Sequence, residues 1–549
     1  MTARTEIRES RVGGRHPVPL RVLTGHALRA FVRNPVAAFF TLAFPLAFLV
    51  IVASIVGDQD AGNGIPVAQY LVSPFAVFGV AQASFVLIAI DTARLRDSGV
   101  LLRLRATPIP PWTVLSARIG ASLVISGAGV ALLTAVGVLG YDVRIVGRKV
   151  PALLVTLLAG IGCCAALGVA LASLCRTVAV AQALSQGLLI SLAFISDVFI
   201  VGADLPRGLE LISTALPLKH FAQAMSATFE PGPGYGFSPV HLAVLAAWAV
   251  AGAVVARTQF SWQPDVRTPP APPPPDGASA PGVLSPPAPR AGRSPLLIVS
   301  GQIGYAVLGL RRDPLSVFFS VVFPALLLAL FPTVFGDAPV SGTPMAHYLF
   351  AGMITYATAV AAYVDVPEGV VGARAAGVLK RLRGTPLPLR GYFAGRVSAA
   401  LIVALIATAM LAVVGLGFLG VRLDAARLPA LLLAIAAGSV CFAALGLAVA
   451  ALMPSAHSIV AVTLGTLLPL CFVSGVFVVG DRPLPGWLTT VADLLPLRHL
   501  MRAVLAATEP AAAGYGFTAG HLAVLAGWAA AALLVVWRRR AALAGSGPH

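Results

Sequence analysis

Apolar residues dominate the chain in long runs separated by short polar intervals, and each run is far longer than the alternating strands of a membrane barrel. A hydrocarbon core about 30 Å thick is crossed by about 20 apolar helical residues. By that ruler the first half carries six spans, at about 36–56, 70–90, 115–138, 151–174, 178–201 and 239–257. The second half carries six more, at about 315–335, 347–365, 394–418, 428–452, 457–480 and 519–537. In lipid each segment must satisfy its own backbone polar groups, so the pattern predicts helices. The expected fold class is an all-α polytopic membrane protein of about twelve transmembrane helices.

Shifting the chain by 278 to 280 residues brings its halves into register. Arg33-Asn34-Pro35 falls on Arg312-Asp313-Pro314, and Phe44-Pro45 on Phe323-Pro324. Leu216-Pro217-Leu218-Lys219-His220 falls on Leu495-Pro496-Leu497-Arg498-His499, and Gly234-Tyr235-Gly236-Phe237 on Gly514-Tyr515-Gly516-Phe517. An even number of spans per copy makes the copies parallel, related by an axis along the membrane normal. The expected units are a first six-span repeat at 1–260, a Pro-rich linker at 261–293, a second six-span repeat at 294–540 and a short tail at 541–549. The linker holds Thr-Pro-Pro-Ala-Pro-Pro-Pro-Pro at 268–275, which reads as a semi-extended tether. Each repeat is preceded by an amphipathic stretch: Leu20, Leu23, Leu28 and Phe31 among Arg21, His26, Arg29 and Arg33, then Leu296 to Arg312. A helix lying in the headgroup plane explains it.

Composition agrees with the pattern, with 58% apolar and 11% charged residues where a soluble domain has about a quarter charged. The formal charge of +17 lies between spans rather than on one face, so it points to the membrane and not to nucleic acid. With both termini in the cytoplasm, most of the 38 basic residues fall on the inner side, as the positive-inside rule requires. The loop from Tyr141 to Lys149 dissents, since it would hold Arg144, Arg148 and Lys149 outside. The five cysteines sit within or beside apolar runs without ligand-like spacing and read as small buried hydrophobes. No cleavable signal peptide is expected, because the first long apolar run begins near Pro35 and more follow it.

The loop after the second span repeats with its spacing intact: Arg96, Gly99, Arg103, Arg105 and Pro108, then Arg374, Gly377, Arg381, Arg383 and Pro386. Glycine permits a sharp turn, the run after it can form a short helix, and proline ends that helix. Positive-inside selection asks for charge but not for a glycine and a proline at fixed distances from it. A short helix on a stem, able to dock on a partner, is the reading this favours over simple charge anchors.

These loops, the Phe472-Val473-Ser474-Gly475-Val476-Phe477 run, the following Pro485 and the Leu-Pro-Leu-Arg-His at 495–499 resemble the type-2 ABC permease family (ABC-2). Within it the chain is similar to drug and antibiotic exporters and to fused double permeases associated with polyketide export. The resemblance spans both copies. It implies a pair of six-span units whose coupling helices, about 94–108 and 372–386, sit in clefts of two separate ATPase subunits, which bind the ATP and magnesium. It also implies an outer gate at Ser474 and Gly475 near Pro496, and at Ser196 near Pro217, where Asp197 replaces the glycine. Asp197 reads as a solvated residue at the outer mouth or as a cation-recognising group.

A phosphate-cradling Walker loop places glycine before lysine, whereas Lys149, Lys219 and Lys380 follow Arg148, Leu218 and Leu379. ATP hydrolysis is therefore expected on another chain, with no cofactor bound here. The major facilitator architecture also has twelve spans in parallel halves. Its proton relays need titratable groups inside the bundle, but Asp91, Asp365 and Glu368 fall toward the cytoplasmic ends of spans, and the Gly-x-x-x-Asp-Arg loop pattern is missing. No HExxH or Ser/His/Asp set supports an enzyme. Candidate cavity residues are the polar ones on spans two and five: Ser73, Gln82, Ser84, Gln186 and Ser191, then Tyr356, Tyr363, Thr463 and Thr466. The expected function is the permease subunit of an exporter for amphiphilic drugs or antibiotics in the cell membrane, with a proton-driven multidrug transporter or a lipid or polysaccharide permease as alternatives.

Overall fold

The computed structural model describes residues 18–56, 65–107, 111–199, 206–261, 300–301, 303–304, 308–309, 314–335, 339–340, 342–384, 389–453, 459–477, 486–509 and 514–539. The Pro-rich linker beyond residue 261, the tail at 541–549, most of the second amphipathic stretch, Pro108, Pro386 and Pro485 lie outside the described residues.

In the first copy the elements are α1 (Val18–Val32), α2 (Pro35–Ser54), α3 (Ala68–Asp97), α4 (Val100–Arg105), α5 (Pro111–Tyr141), α6 (Val150–Leu174), α7 (Val178–Ile195), α8 (Arg207–Ala215), α9 (Pro217–Phe229) and α10 (Pro239–Gln259). The second copy follows the same order in α11 (Phe318–Pro332), α12 (Met345–Ala375), α13 (Val378–Arg383), α14 (Leu389–Phe418), α15 (Leu428–Leu452), α16 (Ile459–Val473), α17 (Gly486–Leu494), α18 (Pro496–Thr508) and α19 (Ala519–Arg538). Among the described residues ten helices are long and apolar enough to cross a membrane, and two shorter apolar ones, Phe318–Pro332 and Val462–Val473, stand where the seventh and eleventh spans are expected. The protein is an all-α polytopic membrane protein.

Burial orders the helices around the axis. The apolar windows of α3 and α12 are 83% and 94% buried, against 11% and 17% for α10 and α19, which pack on α6 and α15. The first are central and the second face lipid. Both α3 and α12 also run past the apolar ruler, to Asp97 and Ala375, and so form stalks. Each is interrupted by one π-helical turn, Gln82–Val86 and Val360–Val364, and the first spans carry matching ones at Phe39–Ala43 and Phe318–Val322. Such turns insert an extra residue and re-aim the face that follows, often at functional sites.

The copies meet where the fifth span of one packs on the first span of the other. Gly187 of α7 lies against the Phe318 ring, and Gly465 of α16 against the Phe39 ring, where an added Cβ would stand 3.3 Å and 3.0 Å from the ring carbons. Small residues at helix crossings permit this approach in lipid, where no hydrophobic force draws helices together.

Between the fifth and sixth spans each copy has a pair of short helices that the span ruler does not find. Leu216 is extended and Pro217 supplies a preset φ at the first turn of α9; Leu495 and Pro496 do the same for α18. The carbonyls exposed at the break find side-chain donors. Trp248 Nε1 donates to Ala215 O at 3.1 Å and Trp528 Nε1 to Leu494 O at 3.0 Å. His220 Nε2 lies 2.9 Å from Thr214 O, with its Nδ1 2.8 Å from His241 Nδ1; His499 repeats this with Asp493 O at 2.8 Å and His521 Nδ1 at 2.9 Å. At the other end of α9, buried Lys149 donates to Ala227 O and Glu230 O at 3.0 and 2.7 Å, and Arg427 does the same to Ala506 O and Glu509 O after α18. A cation there complements the partial negative charge of a helix C-terminus. Arg148 likewise donates to Gly232 O, so two of the three basic residues in the dissenting 141–149 loop are caps for carbonyls.

Candidate functional site

Three regions recur in both copies: the tips beyond the stalks, a cavity on the axis, and a closure on the far side. At the tips, Gly99 and Gly377 share a left-handed φ of 69°, with open space around the place a Cβ would take. The turn reverses the chain into α4 and α13, and Leu101 and Leu379 bury one face of each short helix. Arg103, Arg105 and Arg381 are exposed on the other face. Arg103 donates to Ser98 O at 3.4 Å and Arg381 to Ala376 O at 3.3 Å, bonds that rigidify the turn.

Arg96 is placed differently from its loop neighbours. It is buried, and its guanidinium donates to Ala172 O at 2.9 Å and Cys175 O at 2.6 Å, closing the end of α6. Arg374 is half-buried at the equivalent point of the second stalk, and Arg383 is described only in its backbone. The neighbouring Asp97 accepts from Val178 N at 3.3 Å, so stalk, α6 and α7 are tied together at this level.

A cavity of about 420 Å³ lies between the copies. Its walls are matched pairs across the repeat: Phe40 with Phe319, Gln82 with Val360, Val86 with Val364, Leu87 with Asp365, Ile90 with Glu368, and Gln186 with Leu464. It therefore straddles the pseudo-two-fold axis. Toward the tips it is bordered by Arg33, Asn34, Asp91 and Arg94. Asp91 accepts from Arg118 at 2.6 Å, and Asp365 accepts from Ser320 at 2.9 Å. Asn34 is held by capping α2, where its Oδ1 accepts from Ala37 N at 3.2 Å.

Of the cavity residues expected from the sequence, Gln82 and Gln186 line this space and are bonded to each other at 3.0 Å. The others are placed elsewhere. Ser84 is fully buried at the α3–α6 contact, Ser73 bonds Ser226 of α9 at 3.0 Å, and Thr463 donates to Ile459 O of its own helix at 2.9 Å. Ser191 is half-buried on α7. Tyr363 lies 3.0 Å from the Thr466 hydroxyl and joins α12 to α16. Tyr356 is buried among aromatic rings. Polar residues in membrane helices often serve as such ties. Asp91, Asp365 and Glu368 are on the wall but were not among the expected cavity residues; their place one to three turns beyond Gln82 and Val360 on the same helices was the available signal.

On the side away from the tips, the fifth helices end in a reversal. The left-handed residue is Asp197 (φ 56°) in one copy and Gly475 (φ 75°) in the other. After it Phe199 N bonds back to Ala193 O at 3.0 Å, and Phe477 N to Cys471 O at 3.3 Å, so the chain turns inward and the predicted span to residue 201 stops at Ile195. Phe199 packs against Phe44, Phe48, Phe78 and Phe194 at ring separations of 6.5, 5.5, 5.0 and 4.9 Å. Rings also cross between the copies: Phe194 to Phe331 at 5.9 Å and Phe472 to Phe48 at 4.7 Å. Phe44 of this layer stands 6.1 Å from Phe40 of the cavity wall, so the rings lie next to the cavity on that side.

The expected gate residues flank the layer. Ser196 and Ser474 are buried without a side-chain partner, and Pro217 and Pro496 start α9 and α18. Asp197 accepts from Gln223 at 3.1 Å, whereas Gly475 O accepts from Tyr348 at 2.9 Å. Where Gln223 stands in the first copy the second has Arg502, which pairs with Asp493 at 3.1 Å beside Arg498 at 2.9 Å.

Compared with known families, the chain matches the ABC-2 type transporter description twice, over residues 19–229 and 305–508. No curated protein matches it at a significant level. Both matches run from the first membrane-entry segment of a copy to the end of its short second re-entry helix, α9 or α18, and so take in tip, cavity wall and closure alike. Together they cover most of the sequence, and the chain belongs to the ABC-2 type transporter family.

Proposed function

We propose that the chain carries both permease halves of an exporter that moves an amphiphilic, drug- or antibiotic-like molecule across the cell membrane, driven by two copies of a separate ATPase subunit. The observation that carries this reading is mechanical. Helices α3 and α12 each line the cavity with their C-terminal half and run on from there into a glycine-started tip helix, so a push on the tips moves the walls. The tips, with exposed Arg103, Arg105 and Arg381, lie in the cytoplasm beside both termini. The capping roles of Arg148 and Lys149 support that orientation, because cations retained for helix ends are not free to obey the charge rule. ATP and magnesium bind to the partner subunits. The cavity opens toward the tips and is shut by the aromatic layer opposite; closure of the ATPase pair rocks the halves and reverses that state. Direction follows from a lower affinity for cargo in the outward state.

Reversing charge at both tips tests the coupling. Arg103→Glu with Arg381→Glu is expected to lower association with the ATPase subunit and transport at least about tenfold, as for charge reversal in an electrostatically matched interface. Unchanged assembly and transport would count against it.

A proton-driven mechanism has one observation in its favour, namely Asp91, Asp365 and Glu368 on the cavity wall. Proton-gradient-driven efflux by the purified chain alone, without ATP, would establish that mechanism instead.

A further inference from the structure

The cavity is lined from both copies, and at several matched positions the two copies differ in chemistry. At its inner end the first copy contributes Gln82 and Gln186, and the second contributes Val360 and Leu464 at the equivalent positions. Both glutamines are more than nine-tenths buried, at 5% and 6% exposure. One bond joins them, Gln82 Nε2 to Gln186 Oε1 at 3.0 Å, and it leaves Gln82 Oε1 and Gln186 Nε2 without a protein partner. If both amides are turned over, the remainder is the same: one carbonyl oxygen and one amino group. A buried polar atom without a partner destabilises the protein, so one on each of two bonded glutamines that line a cavity marks a place completed by something else.

Resting on the central cavity as the cargo site, we propose that this amide pair recognises an uncharged group presenting a donor and an acceptor side by side, carried at one end of an apolar body. A primary carboxamide, a lactam or a hydroxyl next to a carbonyl has that form. The body lies against Phe40, Phe319, Val86 and Val364. Charge is not what the inner end reads. At 1.5 Å per residue, Asp365 is about 7 Å and Asp91 about 13 Å along their helices from this level. Because the opposite wall is Val360 and Leu464, a cargo molecule with one polar end fits in one orientation, polar end toward the first copy.

The test uses the full chain in phosphatidylcholine nanodiscs and two probes of nearly equal shape, pyrene-1-carboxamide and 1-acetylpyrene, with empty nanodiscs as the partition blank. The ketone keeps the acceptor and loses the donor. The wild-type chain is expected to prefer the carboxamide by about tenfold, the scale of one buried hydrogen bond. Gln82→Val with Gln186→Leu copies residues the fold already carries in its other half; it is expected to bind both probes equally, and the ketone more weakly than the wild-type chain does, by the one bond its carbonyl loses. Gln186→Leu alone is expected to fall between. Ile90→Trp, which fills the cavity from a half-buried position, is expected to weaken both probes. Equal binding of the two probes by the wild-type chain, or a preference that survives the double substitution, overturns the assignment while the cavity stands. If Ile90→Trp leaves both affinities unchanged, the cargo cavity itself is refuted, and the amide assignment with it.

Discussion

Where the chain turns or a helix ends, the two copies use nearly the same chemistry, and where they face each other across the axis they do not. His220 and His499, Trp248 and Trp528, Lys149 and Arg427, and Gly99 and Gly377 hold matching positions with matching partners. In contrast, Gln82 opposes Val360 and Leu87 opposes Asp365 on the cavity wall; among the turns, the reversal at Asp197 and Gly475 departs from the match. The reason is physical. A carbonyl freed at a helix break in lipid has few ways to be satisfied, so both copies need the same donor. A cavity wall has no such obligation and is free to differ between the copies.

The largest expected break in this comparison is at the aromatic layer. Phe199→Ala removes a ring that packs against Phe44, Phe48, Phe78 and Phe194, whereas Phe477→Ala loses Tyr356 and Phe472 at 5.5 and 5.1 Å. The first should cost about 3 kcal/mol and the second less, on the scale of buried Phe→Ala changes. Unfolding of the purified protein would show the order, and equal losses would mean that the layer is symmetric in strength.

Exchanging the reversal residues comes next. Gly475→Asp adds a side chain at φ 75° where a Cβ would stand 2.8 Å from the Tyr348 hydroxyl, and should destabilise by about 2 kcal/mol. Asp197→Gly relieves the same backbone preference but loses the bond to Gln223, so it should change stability by less than about 1 kcal/mol. Thermal stability of the two variants would separate a backbone requirement from a charge requirement at this turn.

The smallest effect is expected where the copies touch. Gly465→Ala and Gly187→Ala each push a methyl toward a ring of the other copy, and the tighter contact at Gly465 should make it the costlier, by about 1 kcal/mol or less. A reversed order would show that Phe39 yields more readily than Phe318.

The duplicated loop was legible in the sequence because a glycine, a charged face and a proline at fixed spacing are local, and the left-handed turn at Gly99 and Gly377 follows from them. Arg96 shows the limit of that reading. Its place in the motif resembles that of Arg103, yet it is buried on carbonyls of α6 about 80 residues away along the chain. The reversal after the fifth helix was legible as a sequence difference, Asp197 against Gly475, but its meaning as a left-handed backbone position was not.

The sequence by itself determined the helical class, because the bilayer imposes a length and a hydrogen-bond rule on every segment separately, and the duplication, which is written in the repeated motifs. Only the tertiary structure decided which polar residues meet. Gln82 and Gln186 reach the cavity while Ser84, Tyr356 and Tyr363 do not, although all lie in apolar spans. Helical period alone cannot make that choice, since a π-turn in α3 or α12 rotates everything after it, and the wall is built from both copies at once.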